Sequence, residues 1–157
     1  MKNYLFLFFL IVSSCKLTST TYYSKSLNSN SEELSIEKTK IISLEKTACF
    51  GTCPIFTINI FNNGEVIYYG KKFVKKLGNL NLELNQKEIN QILNKAKEIN
   101  FNNLKSEYTE NISDLPTTYV TINKKTIKNY YGAPKELKDL EKLIESIILE
   151  KMNIESF

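Results

Sequence analysis

The sequence predicts an α+β domain: a mostly antiparallel sheet of about six strands in the order ββββαββα, with two helices packed on one face. Three observations predict it. Short runs of alternating apolar residues recur between turn signals, as in Phe56, Ile58 and Ile60. Two longer stretches instead carry apolar residues at helical spacing: Ile89, Ile92, Leu93, Ala96 and Ile99, then Leu137, Leu140, Ile144 and Ile147. Finally, strand and helix patterns do not alternate in a sustained way, which argues against a doubly wound parallel sheet.

In chain order, Ile41 to Glu45 reads as the first strand and Ile55 to Phe61 as the second. Asn62-Asn63-Gly64 between strands predicts a type I′ hairpin turn, because Asn-Gly accepts positive φ. Val66 to Phe73 returns as a strand bearing Tyr68 and Tyr69, Gly78 breaks the chain, and Leu80, Leu82 and Leu84 alternate as a fourth. Asn85 with Glu88 forms a capping-box signature for the first helix, which should end near Asn100. Lys105 to Asp114 reads as a loop. Thr117 to Ile122 and Thr126 to Tyr131 flank a turn at Asn123-Lys124-Lys125 and form a second hairpin. Gly132-Ala133-Pro134 opens the last helix, where a missing N–H does no harm.

Ahead of this domain, Met1-Lys2-Asn3 is a short basic segment, and Tyr4 to Val12 is an apolar run of nine. A helix that spans a bilayer needs about 20 residues, so this run has the length of a signal-peptide core instead. Val12-Ser13-Ser14-Cys15 follows and resembles the lipobox of bacterial lipoproteins, in which the cysteine is cut free and acylated. Residues 1–14 are thus expected to be a signal peptide and Cys15 the lipid attachment site. Residues 15–33, rich in Ser, Thr and Asn, are expected to form a polar tether, and residues 34–157 a single domain. Each buried CH₂ of an acyl chain contributes about 0.8 kcal/mol to membrane attachment. By likeness to lipoprotein sorting rules, Lys16 in place of Asp favours the outer membrane, facing the periplasm.

Composition narrows the function. Apolar residues make up 42% of the 157, enough for a core. All 21 basic residues are Lys, so the net charge of +4 comes without the planar fork that reads phosphate or guanine, and no nucleic-acid partner is expected. There is no His, which removes the commonest general base and metal ligand. No catalytic residue, metal or cofactor is assigned. A non-catalytic binding or envelope-accessory module is the expected role, its partner an envelope protein or a cell-wall component besides the membrane reached through the lipid. Among loop-borne carboxylates only Glu107, Glu110 and Asp114 cluster, and such clusters are usually solvated.

With Cys15 acylated, Cys49 and Cys53 remain, and in an oxidising compartment they are expected to pair. Fully extended, their Cα atoms would lie about 13 Å apart. A disulfide needs roughly 4.4–6.8 Å, so Phe50-Gly51-Thr52 must turn. Two alternatives use the same pair. Cys49-x-x-x-Cys53-Pro54 is similar to the motif of copper-delivery proteins with a thioredoxin-like fold, which implies thiol–disulfide or metal-handling chemistry. That family also uses a distant His and a helix after the cysteines; here there is no His and an alternating run follows. A zinc site would lack half of its four ligands.

TACFGTCP (Thr47 to Pro54), NGEVIYYGKKF (Asn63 to Phe73), SDLPTT (Ser113 to Thr118) and YYGAP (Tyr130 to Pro134) together resemble the family of domain of unknown function 6438, over about Ile41 to Ile148. The resemblance implies a single domain in exported proteins and lipoproteins, and no particular substrate. Three of these motifs read as loops or strand ends, where binding residues gather. The expected binding patch is Tyr68, Asp114, Pro116, Thr117, Tyr130 and Tyr131, the tyrosines giving amphipathic contact area and Asp114 a charge. The plainer alternative has Asp114 capping a turn and the tyrosines half-buried in the sheet.

Overall fold

The computed structural model describes residues 37–157, which lie in one unit, Ile36–Phe157. The expected signal peptide, the expected lipid attachment site Cys15 and the whole expected tether, residues 15–33, lie outside the described residues. The elements are β1 (Lys40–Lys46), β2 (Ile55–Phe61), β3 (Glu65–Lys72), β4 (Gly78–Glu83), α1 (Gln86–Glu98), β5 (Glu107–Tyr108), β6 (Thr118–Ile122), β7 (Lys125–Asn129) and α2 (Lys135–Met152). A 3₁₀ turn at Phe101–Asn103 follows α1. The class is α+β, as expected, but the sheet has seven strands, in the order β4-β3-β2-β1-β6-β7-β5.

The seventh strand corrects the sequence reading. β5 falls where a loop was expected and pairs in parallel with β7, so the sheet is mixed rather than mostly antiparallel. Two residues are too few for a periodicity to show. β5 exists through backbone bonds, Lys128 N–H to the Ser106 carbonyl at 2.9 Å and Tyr130 N–H to the Tyr108 carbonyl at 2.9 Å.

Cross-strand partners share a face. One row is Leu82–Val66–Ile60–Ile42–Ile122, and the next Leu80–Tyr68–Ile58–Leu44–Val120–Ile127. Both rows pack into a single core with Ile89, Ile92 and Ala96 of α1 and Leu137, Leu140, Ile144 and Ile148 of α2. The two helices therefore cover this face. The other face carries Ser43, Asn59, Thr121 and Thr126, with Ile67, Tyr69 and Tyr119 among them. Phe157 stacks on Phe56 with ring centroids 3.9 Å apart and closes one end of the core.

Two local details also differ. The first hairpin is not a type I′ turn: of its residues only Gly64 has positive φ, at 92°, and its N–H donates to the Phe61 carbonyl at 3.0 Å. This is a three-residue loop ending in a left-handed glycine. Asn62 is instead used to hold the incoming chain, accepting from Thr39 N–H and donating to the Glu37 carbonyl, each at 3.0 Å. β3 stops at Lys72, since Phe73 adopts φ 55° and leaves the strand. The helix start was legible: Asn85 accepts from Glu88 N–H at 3.0 Å and Glu88 accepts from Asn85 N–H at 2.8 Å. Among the described residues no helix is long and apolar enough to cross a membrane.

Candidate functional site

β1, β3 and β7 finish at one end of the sheet, where β2, β4 and β6 begin. The motif-bearing loops 47–54, 109–117 and 130–134 all lie at this end, and hydrogen bonds join them. Thr47 N–H donates to the Thr117 carbonyl and Thr117 N–H to Thr47 Oγ1, both at 3.0 Å. The Tyr130 hydroxyl donates to the Ile112 carbonyl and accepts from Leu115 N–H at 3.4 Å. Tyr130 thus pins the 112–115 loop and is occupied as a structural bolt. Tyr131 beside it is exposed.

Asp114 takes φ 71°, accepts from Ser113 Oγ at 3.2 Å and lies on the surface. Pro116 and Thr117 are half-buried at the mouth of β6. Tyr68 does not join this group. It is fully buried in the core, with its hydroxyl donating to the Lys76 carbonyl at 3.0 Å. The same parity as Val66 assigns it inward, and Tyr69 outward.

Cys49 and Cys53 stand at disulfide distance, Cα to Cα 5.8 Å, both half-buried. They lie outside the ladder, in the connection between Lys46 and Ile55. Closing so short a ring is worth about 2 kcal/mol through the unfolded chain. The loop displays Phe50 at its tip, 89% exposed.

Behind these loops opens a cleft of about 360 Å³, lined by Pro116, Tyr130 and Tyr131 on the loop side. Its floor was missed by sequence reasoning: Lys46, Thr118 and Asn129 from the sheet, Lys138, Glu141, Lys142 and Glu145 from α2. Lys46, Thr118 and Asn129 are cross-strand partners on the core-facing side, so one row of the inner face turns polar here. Lys46 pairs with Glu145 at 2.7 Å. Glu141 is 7% exposed and accepts from Asn129 Nδ2 at 2.8 Å. The parity was visible in the sequence: Lys46 continues Ile42 and Leu44, and Glu141 lies one turn after Leu137. A hollow of about 400 Å³ below the end of α1 has Lys97 as its one charge and suits no comparable chemistry.

Burial raises the Glu141 carboxyl above the ordinary glutamate range, against the Asn129 hydrogen bond and the Lys46 charge, while Glu145 adds to the rise and Lys138 opposes it. The folded protein then binds more protons here than the unfolded chain. This contribution to stability is complete below the unfolded value and is lost as pH rises through the folded one. Glu141→Gln keeps an acceptor for Asn129 and removes the titration. Its urea midpoint is expected to fall less than the wild type's from about pH 4 to about pH 8, and to equal or exceed it at the upper end. A steeper fall in the variant would contradict this assignment.

Glu107 is held by Lys128 at 2.8 Å. That ion pair engages one of the three loop carboxylates, while Asp114 meets Ser113 instead. Glu141 and Glu145 share one helix wall of the cleft.

The family model described as Domain of unknown function (DUF6438) matches residues 40–148, more than half of the chain. No curated protein and no solved structure matches it.

Proposed function

The chain belongs to the DUF6438 family, and on that premise we propose that it is an exported, lipid-anchored binding module of the cell envelope, held by an acylated Cys15 at the outer membrane and facing the periplasm. Its site is the cleft behind the three joined loops. The observation that carries this reading is a set of charged side chains at core-facing positions, Lys46, Glu141 and Glu145, opened to solvent by one cleft. Ionisable groups are seldom placed there without use. Three lysines against two carboxylates, one of which burial biases toward its neutral form, favour a ligand that brings a carboxylate. Tyr131 supplies an amphipathic contact at the rim. A segment of an envelope protein or a peptide-bearing cell-wall component meets that description.

Thiol–disulfide chemistry at Cys49 and Cys53 has less support. Pro54 leads into a strand, so no helix N-terminus is there to stabilise a thiolate.

A photo-crosslinking residue at Tyr131 tests the site in cells that make the full chain. One adduct is expected, at least several-fold weaker when Lys138 and Lys142 are both changed to Glu. Asn123, at the opposite end of the sheet, serves as the control position. An equal adduct from Asn123, or none from Tyr131, would remove the cleft from consideration. Fatty-acid labelling that survives Cys15→Ala would remove the anchor.

A further inference from the structure

The exposed large hydrophobic side chains are not scattered. Of the six among the described residues, Phe50, Phe73, Leu77, Ile112 and Tyr131 lie on loops at the same end of the sheet, and Tyr69 lies on β3. From the last two residues of β3 to the start of β4 the chain reads Lys71-Lys72-Phe73-Val74-Lys75-Lys76-Leu77, four lysines and no acid in seven residues. All four are exposed, and among the described residues none is in a salt bridge. The neighbouring loop 47–54 carries no charge and presents Phe50.

The 73–77 loop is held from below. Val74 packs against the core, and the Lys76 carbonyl accepts from the Tyr68 hydroxyl at 3.0 Å. Phe73 is thereby kept at φ 55°, a region unfavourable for an aromatic residue, and its ring stays 42% exposed. Lys72 Nζ stands 4.6 Å from that ring's centroid. Leu77 is 71% exposed. Exposed apolar tips beside a run of four lysines suit a partner that is soft, apolar beneath and negative above. A pocketed protein would have to offer a separate hole for each tip.

We propose that this loop, with Phe50 beside it, docks on an anionic phospholipid surface. Phe73, Leu77 and Phe50 enter the interface, and Lys71, Lys72, Lys75 and Lys76 meet the headgroups. The contact is independent of the cleft and of Cys15.

The chain contains no Trp, so one introduced at a chosen position is the sole reporter. The full chain is prepared as Phe73→Trp, as Leu77→Trp and as Phe61→Trp, the last at the opposite end of the sheet. Each is mixed with vesicles of phosphatidylglycerol and phosphatidylcholine, or of phosphatidylcholine alone. Positions 73 and 77 are expected to shift to the blue and to be quenched by brominated lipid with the anionic vesicles only. Position 61 should not respond. Changing the four lysines to Gln should abolish the response of positions 73 and 77 to the anionic vesicles, and about 0.5 M salt should weaken that response in the same direction. No response at 73 and 77, or an equal response at 61, overturns the proposal. So does the same shift with soluble polyglutamate, which would assign the surface to an acidic protein. None of these outcomes bears on cross-linking from the cleft.

Discussion

Tyr68→Ala is expected to cost about 4 kcal/mol of folding stability, as large-to-small changes of a fully buried aromatic do. Tyr68 is 0% exposed, and its ring lies 6.1 Å from that of Phe56 and 5.9 Å from that of Phe157, centroid to centroid. Truncation opens a void where the sheet meets the C-terminal residue. It also frees the Lys76 carbonyl, which loosens the 73–77 loop. Tyr68→Phe keeps the packing and loses only the hydroxyl, for about 1 kcal/mol. Burial also pushes the Tyr68 hydroxyl pKa up, so the phenol stays a donor to high pH. Urea unfolding of the three proteins at neutral pH checks the order. A loss below about 1 kcal/mol for Tyr68→Ala would show the site collapsing around the void.

Gly70→Ala is expected to cost about 3 kcal/mol, the upper part of the usual range for overpacking. Gly70 is buried in β3, and its conformation is not the reason it is glycine. A Cβ there would run into the Lys76 carbonyl oxygen, and would stand 2.7 Å from Tyr68 Oη and 2.8 Å from Val74 Cγ2. The nearest obstacle is backbone, which moves only by lifting the whole 73–77 loop. Thermal and urea midpoints should therefore fall, and amide exchange in residues 73–77 should quicken more than in β6. Gly78→Ala is a useful contrast: nothing stands within 4 Å of its added Cβ, and only the positive φ of 81° opposes it. Equal losses at the two positions would refute the steric argument.

Elements with their own periodicity were readable from the chain. The Phe56, Ile58, Ile60 alternation, the Asn85–Glu88 cap and the α2 stripe each follow from side chains within one segment. β5 was not, because its two residues are recruited by β7 through backbone alone. The site divides the same way. Loops marked by Cys, Gly and Pro could be found, and the structure joins them through Thr47, Thr117 and Tyr130. Tyr68 was assigned to the patch on residue type, where its parity with Val66 pointed inward. Lys46, Asn129, Glu141 and Glu145 meet only when β1, β7 and α2 are assembled, so no local signal brings them together.

The strand order β4-β3-β2-β1-β6 has a consequence for how the molecule comes into being. Four consecutive strands zip up as neighbours, each waiting only for the next short stretch of polypeptide. The second side of β1 has no such convenience, since Leu44 meets Val120 across most of the domain. Until that late arrival, the middle of the finished sheet is a bare border, and the slow act of assembly is a distant closure rather than a hairpin. A chain that crosses a membrane unfolded, as the proposed export would require, would make that closure only on the far side, once Thr118–Ile122 has emerged.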